Sequence, residues 1–533
     1  MREFTLQVDD IFKKGLRTDS RQERGLHTLD ECLNYKPTEF GLIPYETVPD
    51  PIKSGEFSTH SITINPPFPQ IFRGRNVTLV VSETKVWTVD ESDWSLTLLG
   101  DVNGKFINAE DVLSATTIAA DSSGLWHFAD WGDNWMLVNT SASIFQSGVH
   151  KLSPDDASDV FCNNTIVIQT IAEFKGRTVI GGFTSSTFWD NDWNDMFTYW
   201  KQGRTAGINI GDSIGTNYVM WGSIGGGDFP LWLMFHENAM KGNVKGSSTV
   251  GYTQPKDPML LDMVRKNQFG FMPMNWQGTV LKILPLGNNL IVYGDNGISA
   301  LTPILEPVPT FGLRDISREF GIISRGAAGG DENGHTLVNE DGYLYSLSPD
   351  LQLKRLGYRE FFTGFSSTET TVNHDPDDNE FYISDGSNSY VLTEAGLGEA
   401  AERIISLVTK DGVLSGVIET QGVATGQLII DIGNFGTAAI KSIENVHVNY
   451  FGSATVTVAI DYRYDRTSAF TRTAFFPVNK EGMSFPKISG VDFKLIFKAD
   501  AYGNVDNWNG FEFNVKFGDK RYKRGVGASA ITA

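Results

Sequence analysis

Gly278 to Leu301 reads GTVLKILPLGNNLIVYGDNGISAL, and this stretch decides the fold. The short apolar run Val280 to Leu284 is broken by Gly287-Asn288-Asn289, residues that tolerate positive φ. Leu290 to Tyr293 resumes it, Asp295-Asn296-Gly297 turns the chain again, and Ile298 to Leu301 leaves. Short apolar runs separated by Asn-Gly-type turns are antiparallel strands joined by tight hairpins.

Comparable units centre near Glu83 (TLVVS-ET-KVWTV), Gly132 (LWHFAD-WGDN-WMLVN), Phe183 (after RTVIGG), Asp341 (HTLVN-EDG-YLYSL) and Asp385 (EFYIS-DG-SNSYVL). They recur roughly every 40–50 residues, the period of propeller blades. One gap, from Phe183 to Asp295, is about two periods long plus an insertion, and Tyr218 to Ser223 offers a strand inside it. About six or seven blades between residues 68 and 397 account for the spacing. No tryptophan-aspartate or kelch signature marks them, so spacing and turns carry the reading.

At 533 residues the chain is expected to hold two or three domains. Its 55 glycines and 12% aromatic residues suit an all-β chain with many turns, and 40% hydrophobic residues exclude wholesale disorder. A formal charge of −20 argues against general nucleic-acid binding, which needs cations facing phosphate. Cys32 and Cys162 are too few for a disulfide framework, and the start MREFTLQVDDIFKKG lacks the apolar core of a secretory signal. No apolar run reaches the roughly 18 residues of a membrane span. Folding in a reducing cytosol is the expectation.

Residues 1–67 read as an extended N-terminal arm, lying along a neighbouring domain or subunit or closing the first blade. Residues 68–397 form the propeller-like body, with a large irregular insertion at about 184–270 that is rich in tryptophan and glycine. AGLGEAAERI (395–404) is helix-like and reads as a linker. A C-terminal β-sandwich is expected over 400–520, and a flexible tail over 521–533. The sandwich strands are Gln427 to Ile432, Asn445 to Tyr450, Ala454 to Tyr462, Phe470 to Phe476, Val491 to Lys498 and Gly510 to Phe517. In the third, Ala454, Val456, Val458, Ile460 and Tyr462 share one face and Thr455, Thr457, Ala459 and Asp461 the other, as in a strand with one face on a core.

Asp190, Asp192 and Asn194 place oxygen ligands at alternate positions, as calcium loops do. The loop lacks glycine at its sixth position and ends on Lys201, so a solvated loop competes with an ion site. His374-Asp375-Pro376-Asp377-Asp378-Asn379 reads as a hairpin turn before it reads as a metal site. Asp121-Ser122-Ser123-Gly124-Leu125-Trp126 resembles the aspartate box of sialidase propellers with its glycine one place late. There is no His-Glu-x-x-His, no Gly-x-Ser-x-Gly and no Walker loop, and no cofactor is expected. Acidic pairs for glycoside hydrolysis stay open, because they pair in space and not in sequence.

LVNEDGYLYSL (337–347) following IVYGDNGISAL (291–301), with NHDPDDNEFYIS (373–384), HVNYFGSATVTVAIDY (447–462) and VNKEGMSFPKISGVDFKLIFKA (478–499), resembles the tail hub or nozzle proteins of short-tailed bacteriophages, also called packaged-DNA stabilisation proteins. The resemblance spans about 270–520. It implies a structural, non-enzymatic virion tail protein, made in the host cytoplasm and assembled as a hexameric ring beneath portal and adaptor proteins. Double-stranded DNA would pass through the lumen without specific binding, past acidic walls that repel phosphate. In that setting Leu231, Trp232, Leu233, Met234 and Phe235, beside Gly225-Gly226-Gly227, either close the channel or form a buried strand of an interrupted blade. The alternative function is a propeller that binds or hydrolyses glycans.

Overall fold

The computed structural model of the chain describes residues 3–8, 13–18, 28–45, 50, 52, 56–83, 85–101, 125–130, 134–138, 143–147, 160–163, 167–184, 217–221, 270–304, 310–410, 413–420, 425–435, 437–500 and 507–517. Nearly all regular structure is β-strand, arranged as a propeller and a sandwich.

Blade 1 consists of Gln70–Arg73, Thr78–Val81, Lys85–Asp90 and Ser95–Asp101, and blade 2 of His127–Asp130, Asn134–Val138, Ser143–Ser147 and Val160–Asn163. Blade 3 consists of Val167–Phe174, Arg177–Thr184, Tyr218–Trp221 and Gly270–Pro273, and blade 4 of Val280–Leu286, Asn289–Gly294, Ile298–Ile304 and Thr310–Ser317. Blade 5 is built from Ala328–Asp331, Gly334–Val338, Leu344–Leu347 and Leu353–Gly357, and blade 6 from Thr371–Asp375, Glu380–Ser384, Ser389–Leu392 and Leu397–Glu399. Each is an antiparallel meander. The first strands of blades 2 to 6 pack on one another in sequence around an axis.

Blade 4 shows why the opening stretch is so apolar. Leu290 and Val292 on its second strand pack with Phe174, Val179 and Val219 of blade 3. Ile291 and Tyr293, which alternate with them, pack with Ala328, Leu337 and Leu344 of blade 5. A strand covered on both faces reads as a continuous hydrophobic run, and alternation disappears. The turn that follows is shaped by Trp276. A Cβ on Gly297 would lie 2.2 Å from Trp276 Cγ, so the ring can sit on the turn because glycine is there. Trp276 Nε1 donates to Ser299 Oγ (2.9 Å), which donates to Asp315 Oδ1 (2.9 Å) and ties the blade's third and fourth strands.

The propeller closes on a seventh, two-stranded blade, the hairpin Glu402–Lys410 with Val413–Thr420. Its first strand packs between the first strands of blades 6 and 1. Ile71 N donates to Ser406 Oγ (3.0 Å) and Arg73 Nη1 to Thr409 O (2.9 Å) on one side. Ser384 Oγ donates to Ile404 O (2.9 Å) on the other. Between blades 1 and 2, Trp126 N donates to Gln70 Oε1 (2.7 Å) and Gln70 Nε2 to Trp126 O (3.2 Å). Three expectations are corrected here. The stretch 395–404 is no helical linker but the last strand of blade 6 and the start of the closing hairpin, and 402–420 belongs to the propeller ring, outside the sandwich. The long gap after Phe183 is also not two periods: Tyr218–Trp221 is the third strand of blade 3 itself.

One sandwich sheet pairs Glu3–Val8 and Lys441–Phe451 with Asn507–Phe517, and extends to the hairpin Tyr35–Thr38 and Gly41–Pro44. The facing sheet orders Glu31–Leu33, Thr425–Gly433, Asp492–Asp500 and Thr455–Arg463. Trp508, Phe511 and Phe513 of the first meet Leu428, Val458 and Phe497 of the second in one core. Val456, Val458 and Ile460 point into it, Thr455 is exposed, and Ala459 on the opposite face is buried as well. Phe470 contributes to that outer cover, its ring centroid 4.4 Å from the Arg463 guanidinium and 5.6 Å from Lys494 Nζ. The 470–476 stretch supplies only the short pairings Thr471–Arg472 and Phe476–Pro477.

The described part of residues 1–67 is therefore not an extended arm. It provides sandwich strands and the joint between the two bodies. Glu31–Leu33 inserts between blade 6 and the sandwich, parallel to Leu397–Glu399 and antiparallel to Thr425–Gly433. Lys36 Nζ lies 2.6 Å from Glu380 Oε1, both side chains buried, and Tyr382 Oη donates to Glu380 Oε2 (2.9 Å). Asn34 accepts from Ala401 N (2.8 Å) and donates to Thr425 O (2.9 Å).

Candidate ligand cavity on the propeller axis

The first strands of the blades line an open cavity of about 780 Å³. At its wall three blades each place an ionisable side chain on or next to their first strand. His127 opens the first strand of blade 2, Lys282 sits in VLKIL of blade 4, and Arg325 precedes the first strand of blade 5. Arg325 Nη2 donates to Gln169 O of blade 3, and Lys282 Nζ donates to Ala328 O (2.6 Å). Lys282 therefore lies against the 325–328 segment, and the His127 ring lies against the Arg325 carbonyl.

These cations feel one another. Burial, with Arg325 and Lys282 adding to it, holds the His127 imidazole well below its usual pKa. Burial and then Arg325 bring Lys282 down to about 8. Both shifts favour the neutral form, as expected when desolvation and like charges combine. His127 is 8% exposed, and its buried Nε2 has no hydrogen-bond partner among the described residues. The carboxylates lining the cavity have backbone partners of their own. Asp130 Oδ2 accepts from Arg75 N (2.8 Å), Glu173 Oε1 from Gly176 N (2.7 Å) and Asp331 Oδ1 from Asn333 N (2.8 Å).

None of the three cavity residues was a sequence candidate. For Lys282 the signal is a single charged residue in the middle of the apolar run VLKIL, since burial there has a cost that calls for a partner; His127 opens its strand and Arg325 precedes one, so neither carries that signal. Of the sequence candidates, Leu231, Trp232, Leu233, Met234 and Phe235 lie outside the described residues, as do Asp190, Asp192 and Asn194 and the first part of the aspartate-box stretch. His374 and Asp375 end the first strand of blade 6 and Pro376 to Asn379 turn into the second, with the His374 ring stacked on Phe381 (centroids 4.4 Å apart). Among the described residues no group of three or more His, Cys, Asp or Glu side chains is placed to hold a metal ion.

No protein-family model matches this chain, and no curated protein matches it in sequence. Several solved structures are similar to it. The WD40 domain of Neurospora crassa Pan2 has a TM-score of 0.33 at 6% identity, covering 69% of this chain and 89% of that one. PorZ, a surface component of the type-IX secretion system of Porphyromonas gingivalis, has a TM-score of 0.33 at 10% identity, covering 77% of this chain and 45% of that one. The computationally designed protein Ika8 has a TM-score of 0.32 at 9% identity, covering 69% and 84%.

Proposed function

We propose that this chain is a structural virion protein, a ring-forming tail nozzle that retains packaged double-stranded DNA and conducts it during ejection. The observation that carries the reading is where apolar rings are displayed. The exposed large hydrophobic side chains among the described residues are Phe40, Leu98, Ile304, Phe451, Tyr464, Phe475 and Phe485, and every aromatic one lies on the sandwich. Phe40 (72% exposed) and Phe451 (64%) stand at the same end of one sheet, since Phe451 pairs with Asn507 and the Phe40 turn abuts it. Exposed aromatic clusters on an otherwise closed body mark association surfaces. The propeller supplies the complementary property, a stiff body with short protected edges that suits side-by-side packing in a ring. A net charge of −20 per copy would keep DNA sliding past acidic walls.

The test is imaging. Cryo-electron microscopy of particles should place six copies around the tail axis, and the double variant Phe40→Ser/Phe451→Ser should fold but fail to close the ring. Density for this chain as a peripheral spike off the axis would overturn the proposal. Binding or turnover on a panel of host polysaccharides would favour the glycan reading instead.

A further inference from the structure

We propose that copies of this chain join head to tail, the basic aromatic strap at 464–487 of one copy docking on the acidic aromatic face around Phe40 and Phe451 of the next. The inference rests on the ring reading above and names the surface that meets Phe40 and Phe451. A closed ring of more than two copies needs two different patches on every copy, and the Phe40–Phe451 end is only one of them.

The strap closes one edge of the sandwich by pairing with both sheets. Thr471–Arg472 and Phe476–Pro477 pair with Thr455–Arg463 of one sheet. After the turn from Asn479 to Met483, Met483–Ser484 and Ile488–Gly490 pair with Lys441–Phe451 of the other. Ser484 Oγ donates to Phe476 O (3.3 Å), so the two legs touch. Phe475 (41% exposed) and Phe485 (50%) are the next residues along the two legs, both on the side away from the turn. Lys480 in the turn and Lys487 beyond Phe485 are exposed and have no ion-pair partner among the described residues. With Arg466 and Arg472 the strap carries four cations against the carboxylates Asp465 and Glu481, in a chain whose overall charge is −20.

The other patch lies across the same sheet. Its strand order runs from the hairpin Tyr35–Thr38 and Gly41–Pro44 through Asn507–Phe517 and Lys441–Phe451 to Met483–Ser484, so hairpin and strap occupy opposite edges. Opposite edges can meet two different neighbours, as a head-to-tail contact requires. The hairpin turn exposes Glu39 beside Phe40. Thr393 Oγ1 donates to Pro37 O (2.8 Å), which sets the exposed Glu394 of blade 6 against the hairpin. Asn379 Nδ2 donates to Glu394 Oε1 (3.4 Å) from the turn that carries the exposed Asp377 and Asp378. No cation pairs with these four carboxylates among the described residues. One edge thus offers two rings among cations and the other two rings among carboxylates. Docking would bury the rings and set opposite charges around them, the apolar centre and polar rim of a specific interface.

The experiment uses the full chain, concentrated alone and in assembled particles, with a photo-cross-linking phenylalanine analogue in place of Phe485. Irradiation should join two copies, the second attached within its 38–42 or 449–451 segment. A product joining two straps, a product with DNA or another protein alone, or no copy-to-copy product in either preparation would overturn the contact. Charge reversal gives a second measurement. Lys480→Glu/Lys487→Glu and Glu39→Lys/Glu394→Lys should each melt like the parent and lower the copy-to-copy yield about tenfold. Mixing the two double variants should restore it, because the acidic strap of one then meets the basic hairpin of the other. Full yield in either variant alone, or no rescue on mixing, would overturn the proposal; should a variant fail to fold, the cross-link decides. The ring reading fails separately. Six copies around the tail axis with the cross-link elsewhere would refute the head-to-tail contact alone, and the expected cross-link in a chain found off the axis would refute the nozzle alone.

Discussion

Blades 4 to 6 pack into one apolar cluster that runs on through Leu16, Leu29 and Tyr35 into the sandwich core around Phe497 and Trp508. Blades 1 to 3 meet their neighbours across small separate clusters. Leu79 and Val86 join Trp135 and Leu137 between blades 1 and 2, and Val80 and Trp87 join Ile405 and Val417 at the closing hairpin. One half of the ring is thus anchored to a second body and the other half is not. A closed ring does not imply uniform stability: cooperative units follow continuous buried surface, and here that surface stops at blade 4. The first test reads this directly. Native-state hydrogen exchange should be slowest at Ile291, Leu337, Ile383 and Phe497, and on the order of a thousandfold faster at Val80 and Leu137. Equal protection around the ring would break the comparison.

The joint itself should show the next effect. Lys36 (8% exposed) and Glu380 (6%) form an ion pair between the N-terminal hairpin and blade 6. Lys36→Met leaves a buried carboxylate without its counter-charge and should cost about 3–5 kcal/mol. Adding Glu380→Leu should recover most of that, and exchange at Val80 and Leu137 should change little throughout. Accelerated exchange in blades 1 and 2 alone would show that the anchor lies elsewhere.

A third test uses acid on the blade 4–blade 5 contact. His335 is fully buried, donates from Nε2 to Pro285 O (2.8 Å) and accepts at Nδ1 from Tyr293 Oη (2.7 Å), which fixes the neutral ring. Burial brings its pKa from 6.5 down to about 4, against a partly opposing bond to the Pro285 carbonyl. The folded state therefore holds fewer protons than the unfolded chain between those values. The stabilisation is fully present above about pH 6.5 and is lost as pH falls towards 4, on the order of 3 kcal/mol in all. Denaturant midpoints at pH 7 and pH 4.5 should converge in His335→Gln, and an unchanged pH slope in that variant would refute the assignment.

What could be read in the sequence follows the same divide between local and distant pairing. The turns near Glu83, Asp295, Asp341 and Asp385 all join the second and third strands of their blades, and hairpins of that kind announce themselves in adjacent residues. The closing hairpin did not, because AGLGEAAERI has the composition of a helix and becomes strand only by lying between blades 6 and 1. The N-terminal strands were also hidden. Glu31–Leu33 is three residues long and finds its partners at Glu399 and Ile429, where no local periodicity can reveal them. The cavity cations come from three blades, and their convergence is a property of ring closure alone.

Two glycines offer the smallest and cleanest test, because they separate steric from conformational need. Gly297 has no room for a side chain: the added Cβ would lie 2.2 Å from Trp276 Cγ. Gly297→Ala must push the ring off the turn and strain its bond to Ser299, at about 1–3 kcal/mol. Gly364, next to the blade 5 helix Arg359–Phe362, has open space around its Cβ position but a φ of +93°. Gly364→Ala should cost only the backbone penalty, about 1 kcal/mol. The two costs should also respond differently to a second change. In a Trp276→Leu background the Gly297→Ala penalty should nearly vanish, since its clash is with that ring, while the Gly364→Ala penalty should be untouched. Because Trp276 packs on the blade 3 side of blade 4, the Gly297 variant should speed exchange at Val179 and Val219 more than at Leu337. A Gly297→Ala cost that persisted without the tryptophan would mean that backbone conformation, and not the ring, demands glycine in the turn.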